Sequence, residues 1–247
     1  MSHELTTVPA STLEDVDLVA FREWLDANIP GLSSRGSLED ALQKLRLAAP
    51  MGSRVIPTIA LIYAFGDNPQ WLQPQLTLSF SAYAGGSVTS ELLLTQHLSG
   101  RMHVLLEEAM AAIEDNARPV VDQVRPENSD LEFPRRAVRE ALSNALIHRD
   151  LKSAAQIQVR MFVDRLEIWS PGAMVSVPEP GVSIPRNPLL ARIARSLGMV
   201  EQLGRGISTI ESECTREGLQ LTGTKEGVTL TLKSMLFGLT PSTLETN

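Results

Sequence analysis

Arg139-Glu140-Ala141-Leu142-Ser143-Asn144-Ala145-Leu146-Ile147-His148-Arg149-Asp150 combines a strong helical pattern with a cluster of polar chemistry. Pro134, suited to a first helical turn, opens a segment to Arg149 that reads as one helix. On it Glu140, Asn144 and His148 recur every fourth residue, so their side chains line up one turn apart along a stripe. Ala137, Ala141 and Ala145 border that stripe and leave room for a ligand, while Val138, Leu142 and Leu146 lie further round, toward a core. A carboxylate polarises water, a carboxamide oxygen is a hard ligand for Mg²⁺, and a histidine donates to an anion; together they suit phosphate chemistry. Taken alone, the same stripe also reads as the solvated face of an amphipathic helix.

Downstream, Ile157, Val159, Met161 and Val163 alternate with polar residues, and Leu166 and Ile168 continue the alternation after a tight Asp164-Arg165 turn, which predicts a β-hairpin. It ends at Ser170-Pro171-Gly172. Asn187-Pro188 opens a helix through Leu197 that Gly198 ends, and a further helix is predicted from Gly206 to Glu217. In Leu203-Gly204-Arg205-Gly206-Ile207 two glycines precede that helix, whose first amides are unpaired and favour negative charge. Such a turn suits phosphate groups, and by itself is equally a tight turn introducing a helix. Val228, Leu230 and Leu232 alternate as a final strand.

Upstream, Leu13 to Asn28 reads as an amphipathic helix capped by Ser11 or Thr12, and Ser37 with Asp40 forms an approximate capping box for a second. Ile56 to Phe65 is an apolar run expected as a buried strand, Leu76 to Tyr83 alternates as a half-buried one, and Gly100 to Asp115 is a helix. Asn116 to Leu131, with prolines and charges but no apolar period, is the expected boundary between an N-terminal α/β portion, 1–120, and a second domain, 121–247.

The 247 residues and 43% hydrophobic content suffice for one large domain or two small ones. The apolar runs are too short to span a bilayer, and the N-terminus lacks a basic and then apolar leader, so a cytoplasmic protein without a membrane partner is expected. A single cysteine, Cys214, excludes an intrachain disulfide, and a net charge of -7 argues against coating nucleic acid by bulk electrostatics. Charge is nevertheless uneven. Residues 131–210 hold 11 Lys and Arg against 7 Asp and Glu, whereas the remainder holds 11 against 22. Arg186, Arg192, Arg195 and Arg205 contribute to this excess and suit phosphates of a nucleotide or of DNA; solvated helix faces account for them equally well. Aromatics, at 4%, form no platform for stacking bases.

The order of these elements carries a family resemblance. Arg139 to Asp150 is similar to a "REALxNAxxHRD" signature, Asp164-Arg165-Leu166-Glu167-Ile168-Trp169-Ser170-Pro171-Gly172 to "DRIEIxNPG", and Gly198-Met199-Val200-Glu201-Gln202-Leu203-Gly204-Arg205-Gly206-Ile207 to "GLVExxGxGI". These motifs resemble the GHKL-type (Bergerat-fold) ATP-binding domain at the end of bacterial Schlafen/AlbA-type regulators, often labelled "RecG-related helicase". Asp15-Val16-Asp17, Ala60 to Gln70 and Leu98-Ser99-Gly100 resemble the segment preceding it in the same proteins. The AlbA-like domain and winged helix usual in that family have no counterpart here, which implies a shortened member or parts acting in another chain.

The resemblance implies an α/β sandwich with helices over one face of a mostly antiparallel sheet, binding ATP and Mg²⁺. Glu140 would be the general base, Asn144 the Mg²⁺ ligand, Gly204, Arg205 and Gly206 the phosphate-facing turn, with His148 and Arg149 supporting the phosphates. Ser170 and Gly172 would occupy the adenine-reading box. Active GHKL ATPases begin that box with Asp; Ser170 lacks its carboxylate, and loss of such a buried pairing costs about 1 to 3 kcal/mol, roughly ten- to a hundredfold in affinity. Slow or no hydrolysis is expected, in a module of transcription control or the DNA-damage response. Its partners would be a nucleotide, DNA through the Arg-rich segment, another regulatory protein, or a second copy in a homodimer. The alternative is a nucleotide-independent interaction or dimerisation module with a degenerate pocket. No Gly-x-x-x-x-Gly-Lys-Ser/Thr loop is present, so a helicase is the least favoured reading.

Overall fold

Side-chain caps decide where the first helices begin. Thr12 and Asp15 form a reciprocal capping box, yet it opens only a 3-10 turn, Leu13–Asp15; Asp17 then caps α1, Leu18–Asn28, by accepting from the Ala20 amide. The single helix expected from Leu13 is thus divided, because Asp17 supplies a second cap and Arg101 fixes its carboxylate at 2.9 Å. The Ser37–Asp40 box forms as expected and opens α2, Leu38–Lys44. In the computed structural model, residues 2–32, 34, 36–118, 131–174, 184–200 and 218–236 are described. The helix expected over 206–217 and Cys214 lie outside them.

β1, Ala48–Met51, and β2, Arg54–Pro57, form a small antiparallel hairpin. The run from Ile56 to Phe65 is not one strand. It divides at Thr58, which ends the β2 segment and caps α3, Ile59–Phe65. Every residue of α3 is buried, so a continuous apolar run satisfies a helix here as well as it would a strand, and the Thr58 cap selects the helix. α4, Pro69–Leu72, is a single turn.

The remaining elements are β3, Leu78–Tyr83; β4, Leu92–Leu98; α5, Met102–Asn116; α6, Arg135–His148; β5, Ile157–Met161; β6, Arg165–Pro171; α7, Pro188–Ser196; β7, Leu219–Gly223; and β8, Gly227–Lys233. A six-stranded sheet has the order β4-β3-β5-β6-β8-β7, antiparallel at each step except β3 with β5. That parallel pair needs a crossover, which β4, α5 and α6 supply. The sheet therefore takes strands from both sides of residue 120.

Register fixes the faces. Leu78 and Phe80 pair with Ile157 and Val159; Val159 and Met161 pair with Ile168 and Leu166; these pair in turn with Leu230 and Leu232. All are buried against a core that includes side chains of α5, α6 and α7. The alternate residues Gln158, Arg160, Glu167, Trp169, Thr229 and Thr231 are only half-buried. The molecule is an α/β sandwich with helices on one face of a mostly antiparallel sheet, as its motif order predicts. Among the described residues no helix is long and apolar enough to cross a membrane.

The buried carboxylate of Glu132 ties the edges of this core. It accepts from the backbone amide and guanidinium of Arg118, after α5, and from the Ser234 hydroxyl, after β8. Since α3 is enclosed on every side, Ile62→Ala is expected to cost about 2–5 kcal/mol in denaturant unfolding. Val19→Ala, on the exposed face of α1, should stay within about 0.5 kcal/mol.

Candidate functional site

α6 presents the polar stripe as its sequence spacing predicts. Glu140, Asn144 and His148 are each half-buried on one flank of the helix, while Ala137, Ala141 and Ala145 are buried beside them. Asn144 Nδ2 donates to Glu140 Oε1 at 3.4 Å, which leaves the carboxamide oxygen turned away from that contact. A hard oxygen ligand and a carboxylate therefore stand side by side.

The C-terminal turn of α6 is gripped by side chains from two other elements. Ser170 Oγ, at the end of β6, donates to the carbonyl of Ala145 at 3.0 Å. Asn187 Nδ2 donates to the carbonyls of Ile147 at 2.8 Å and Arg149 at 3.0 Å. Asn187 is only 1% exposed, so these bonds satisfy helix-end carbonyls that no water reaches. Earlier on the helix, Ser143 Oγ donates to the carbonyl of Met199 at 2.8 Å, fixing the segment that leads toward Gly204. Gly204, Arg205 and Gly206 themselves lie outside the described residues.

His148 closes the stripe. Its Nδ1 accepts from the Arg186 amide at 3.4 Å, which places the ring proton on Nε2. Burial, reinforced by the Arg186 cation, pulls its pKa down to about 4, so the ring is neutral at pH 7 and acts as a dipolar donor, not a cation. Arg149 lies inward: it is fully buried, and its Nη2 donates to the carbonyl of Ala155 at 3.0 Å, ahead of β5. The buried Tyr63 hydroxyl on α3 is close enough for the two groups to interact, and among the described residues neither it nor Nε and Nη1 of Arg149 makes a hydrogen bond of good geometry. Burial raises the Tyr63 pKa to about 12, against the opposing pull of the Arg149 cation, while burial lowers that of Arg149.

Gly172 is a position that only glycine fits. Its φ is 107°, and a Cβ there would stand 2.7 Å from Cβ of Asp150 and 3.1 Å from the Arg186 guanidinium. The backbone passes between these two charged side chains, and Arg186 Nη2 donates to the Ala173 carbonyl. Ser170, Gly172 and His148 thus stand around the end of α6, and Asn144 and Glu140 lie one and two turns before it. Two contributors carried no sequence signal for this place: Asn187, whose Asn-Pro context reads only as a helix start, and Glu4, which is 1% exposed and accepts from the Leu189 and Leu190 amides at 3.1 and 2.9 Å. Among the described residues no group of three or more His, Cys, Asp or Glu is disposed to hold a metal ion.

Residues 154–232 match a family of ATPase-type domains described as "Putative ATP-dependent DNA helicase recG C-terminal". The match supports an ATPase-type domain. It contains Ser170, Gly172 and Gly204 to Gly206, and begins after Glu140, Asn144, His148 and Arg149. The crystal structure of the DIP2311 protein from Corynebacterium diphtheriae superposes with a TM-score of 0.65 at 21% sequence identity, over 95% of this chain and 47% of that one. The likeness is one of fold, and this chain spans about half the length of that protein. No curated protein matches the sequence.

Two outcomes follow for the site. Ser170→Ala removes the donor to Ala145 and should cost about 1–2 kcal/mol of unfolding free energy. For His148 the folded pKa lies below the unfolded value of 6.5, so the stability it allows is complete above pH 6.5 and declines as pH falls toward 4, because the unfolded state takes up a proton that the folded state refuses. Denaturant unfolding between pH 7 and 4 should show up to about 3 kcal/mol more loss in the wild type than in His148→Asn, which keeps an acceptor for the Arg186 amide. Equal losses in both proteins would refute a neutral His148.

Proposed function

We propose that the chain is an ATP-binding regulatory module with slow or no hydrolysis. The observation that carries this reading is the side-by-side placement of Glu140 and Asn144 on one half-buried flank of α6, above a sheet whose strands β5, β6, β7 and β8 fall in the stretch similar to ATPase-type domains. In this arrangement Asn144 offers its carboxamide oxygen to Mg²⁺ and Glu140 orients a water toward the terminal phosphate. His148 offers an uncharged N–H, and Gly204, Arg205 and Gly206 provide backbone and cationic contacts to phosphates. Gly172 lets the backbone run close beneath the ligand, and Arg149 acts from within, by holding the approach to β5. Bound Mg²⁺ would offset phosphate charge that these side chains leave uncompensated.

The buried donor at Ser170 favours weak nucleotide binding and supports a second reading. A nucleotide-independent interaction or dimerisation module, with a degenerate pocket, fits a site whose adenine-facing position is occupied in bracing α6. The setting in transcription control or the DNA-damage response, with a regulatory protein or a second copy as partner, rests on the motif resemblance; a DNA partner rests on the Arg-rich segment, and a cytoplasmic setting on the short apolar runs and the N-terminal sequence.

Calorimetric titration with Mg²⁺ and a non-hydrolysable ATP analogue separates the two. The ATP-binding reading expects saturable binding that weakens at least about tenfold in Asn144→Ala, with thermal unfolding showing that the variant is folded. Absence of binding at millimolar analogue would overturn it and leave the interaction module.

A further inference from the structure

A cleft lies away from the α6 stripe, between the N-terminal segment, the end of α2 and the start of α7. It encloses about 530 Å³, within the range of ligand-sized clefts. Its walls are largely apolar, with Leu5, Leu45, Pro188 and Leu189. Around them stand Lys44, Arg46 and Arg192, all exposed, and among the described residues none of the three is in an ion pair. Outside residues 131–210 acidic groups outnumber basic ones two to one, so Lys44, at the end of α2, and Arg46, just past it, stand out against the charge of their own part of the chain.

Arg46 is held there at a conformational cost. The amides of Arg46 and Leu47 donate back to the carbonyls of Gln43 and Leu42, each at 2.9 Å, the pattern that ends a helix with a left-handed residue. Arg46 takes that position with φ 61°, alone among the described non-glycine residues in having positive φ. Glycine serves the position without strain. An arginine in its place adds a cation to the cleft and nothing to the turn.

We propose that this cleft docks an acidic, apolar-bearing peptide segment of a partner protein. Apolar side chains of the segment fill the space between Leu5, Leu45 and Leu189, and its carboxylates meet Lys44, Arg46 and Arg192. The molecule contains a small version of the same recognition. Glu4 and Leu5 form one wall, with the Glu4 carboxylate on the α7 amides of Leu189 and Leu190. That occupancy also argues against a nucleotide or nucleic acid, since the helix amides that would hold a phosphate are filled and no lining residue is aromatic to stack a base.

The test is fluorescence anisotropy with the full chain and a labelled peptide of about ten alternating glutamates and leucines, without nucleotide. Binding is expected to saturate, and to weaken at least about tenfold both in the Lys44→Glu, Arg46→Glu, Arg192→Glu triple variant and when the leucines of the peptide are serines. Arg46→Gly should unfold at higher temperature than the wild type while binding the peptide more weakly, a combination that damage to the fold does not produce. No saturation at millimolar peptide, binding that survives the triple reversal, or displacement by a single-stranded oligonucleotide of equal charge would each overturn the proposal.

Discussion

The last turn of α6 is the constraint on which the arrangement depends. A buried helix end leaves carbonyls without partners, and here they are satisfied from a distance by Ser170 and Asn187. Asn187 occupies the N-cap position of α7, where its side chain would ordinarily accept from its own helix. Spent on α6 instead, it leaves the first amides of α7 open, and Glu4 fills them from the N-terminal segment. One displaced cap thus links α6, α7 and the start of the chain. The cleft beside Leu189 and the stripe beside His148 stand at opposite ends of that linkage.

Arg149 and Tyr63 set a second constraint. A fully buried guanidinium is expensive, and among the described residues its Nε and Nη1 and the nearby Tyr63 hydroxyl make no hydrogen bond of good geometry. Both residues are locked by their surroundings: Tyr63 sits mid-way along a helix enclosed on every side, and Arg149 ends the helix that carries the polar stripe. The bond from Arg149 to the Ala155 carbonyl fixes the distance between the end of α6 and the entry to β5. Geometry at the site is therefore maintained by groups that do not themselves face solvent.

What the sequence reveals follows from how each element earns its burial. α6, β5, β6 and β8 bury one face and expose the other, so their periods of 3.6 and 2 are visible in the chain. α3 buries every side and shows no period, which is why its run from Ile59 to Phe65 reads equally as a strand. β4 and β7 lie at the two edges of the sheet and are mostly exposed, so neither alternates. At the site, the spacing of Glu140, Asn144 and His148 reads directly as one stripe. Glu4 does not, because the amides it satisfies lie 185 residues away in the chain.

Position 170 illustrates how a departure from a motif acquires a different meaning in three dimensions. In sequence, Ser170 is the absence of a carboxylate, hence the loss of an acceptor for a base amino group. In the fold it is the presence of a donor, directed at the Ala145 carbonyl. An ionised aspartate only accepts, so it cannot make that bond, and facing a carbonyl it would add repulsion. The brace on α6 and a carboxylate aimed at a ligand are thus mutually exclusive uses of one side chain. A serine hydroxyl keeps a lone pair available after donating, so Ser170 still admits a weak acceptor contact while holding the helix. With a neutral Ser170 and a His148 that burial keeps uncharged, charge around the end of α6 comes from Asp150 and Arg186, on either side of Gly172, and from the buried Arg149.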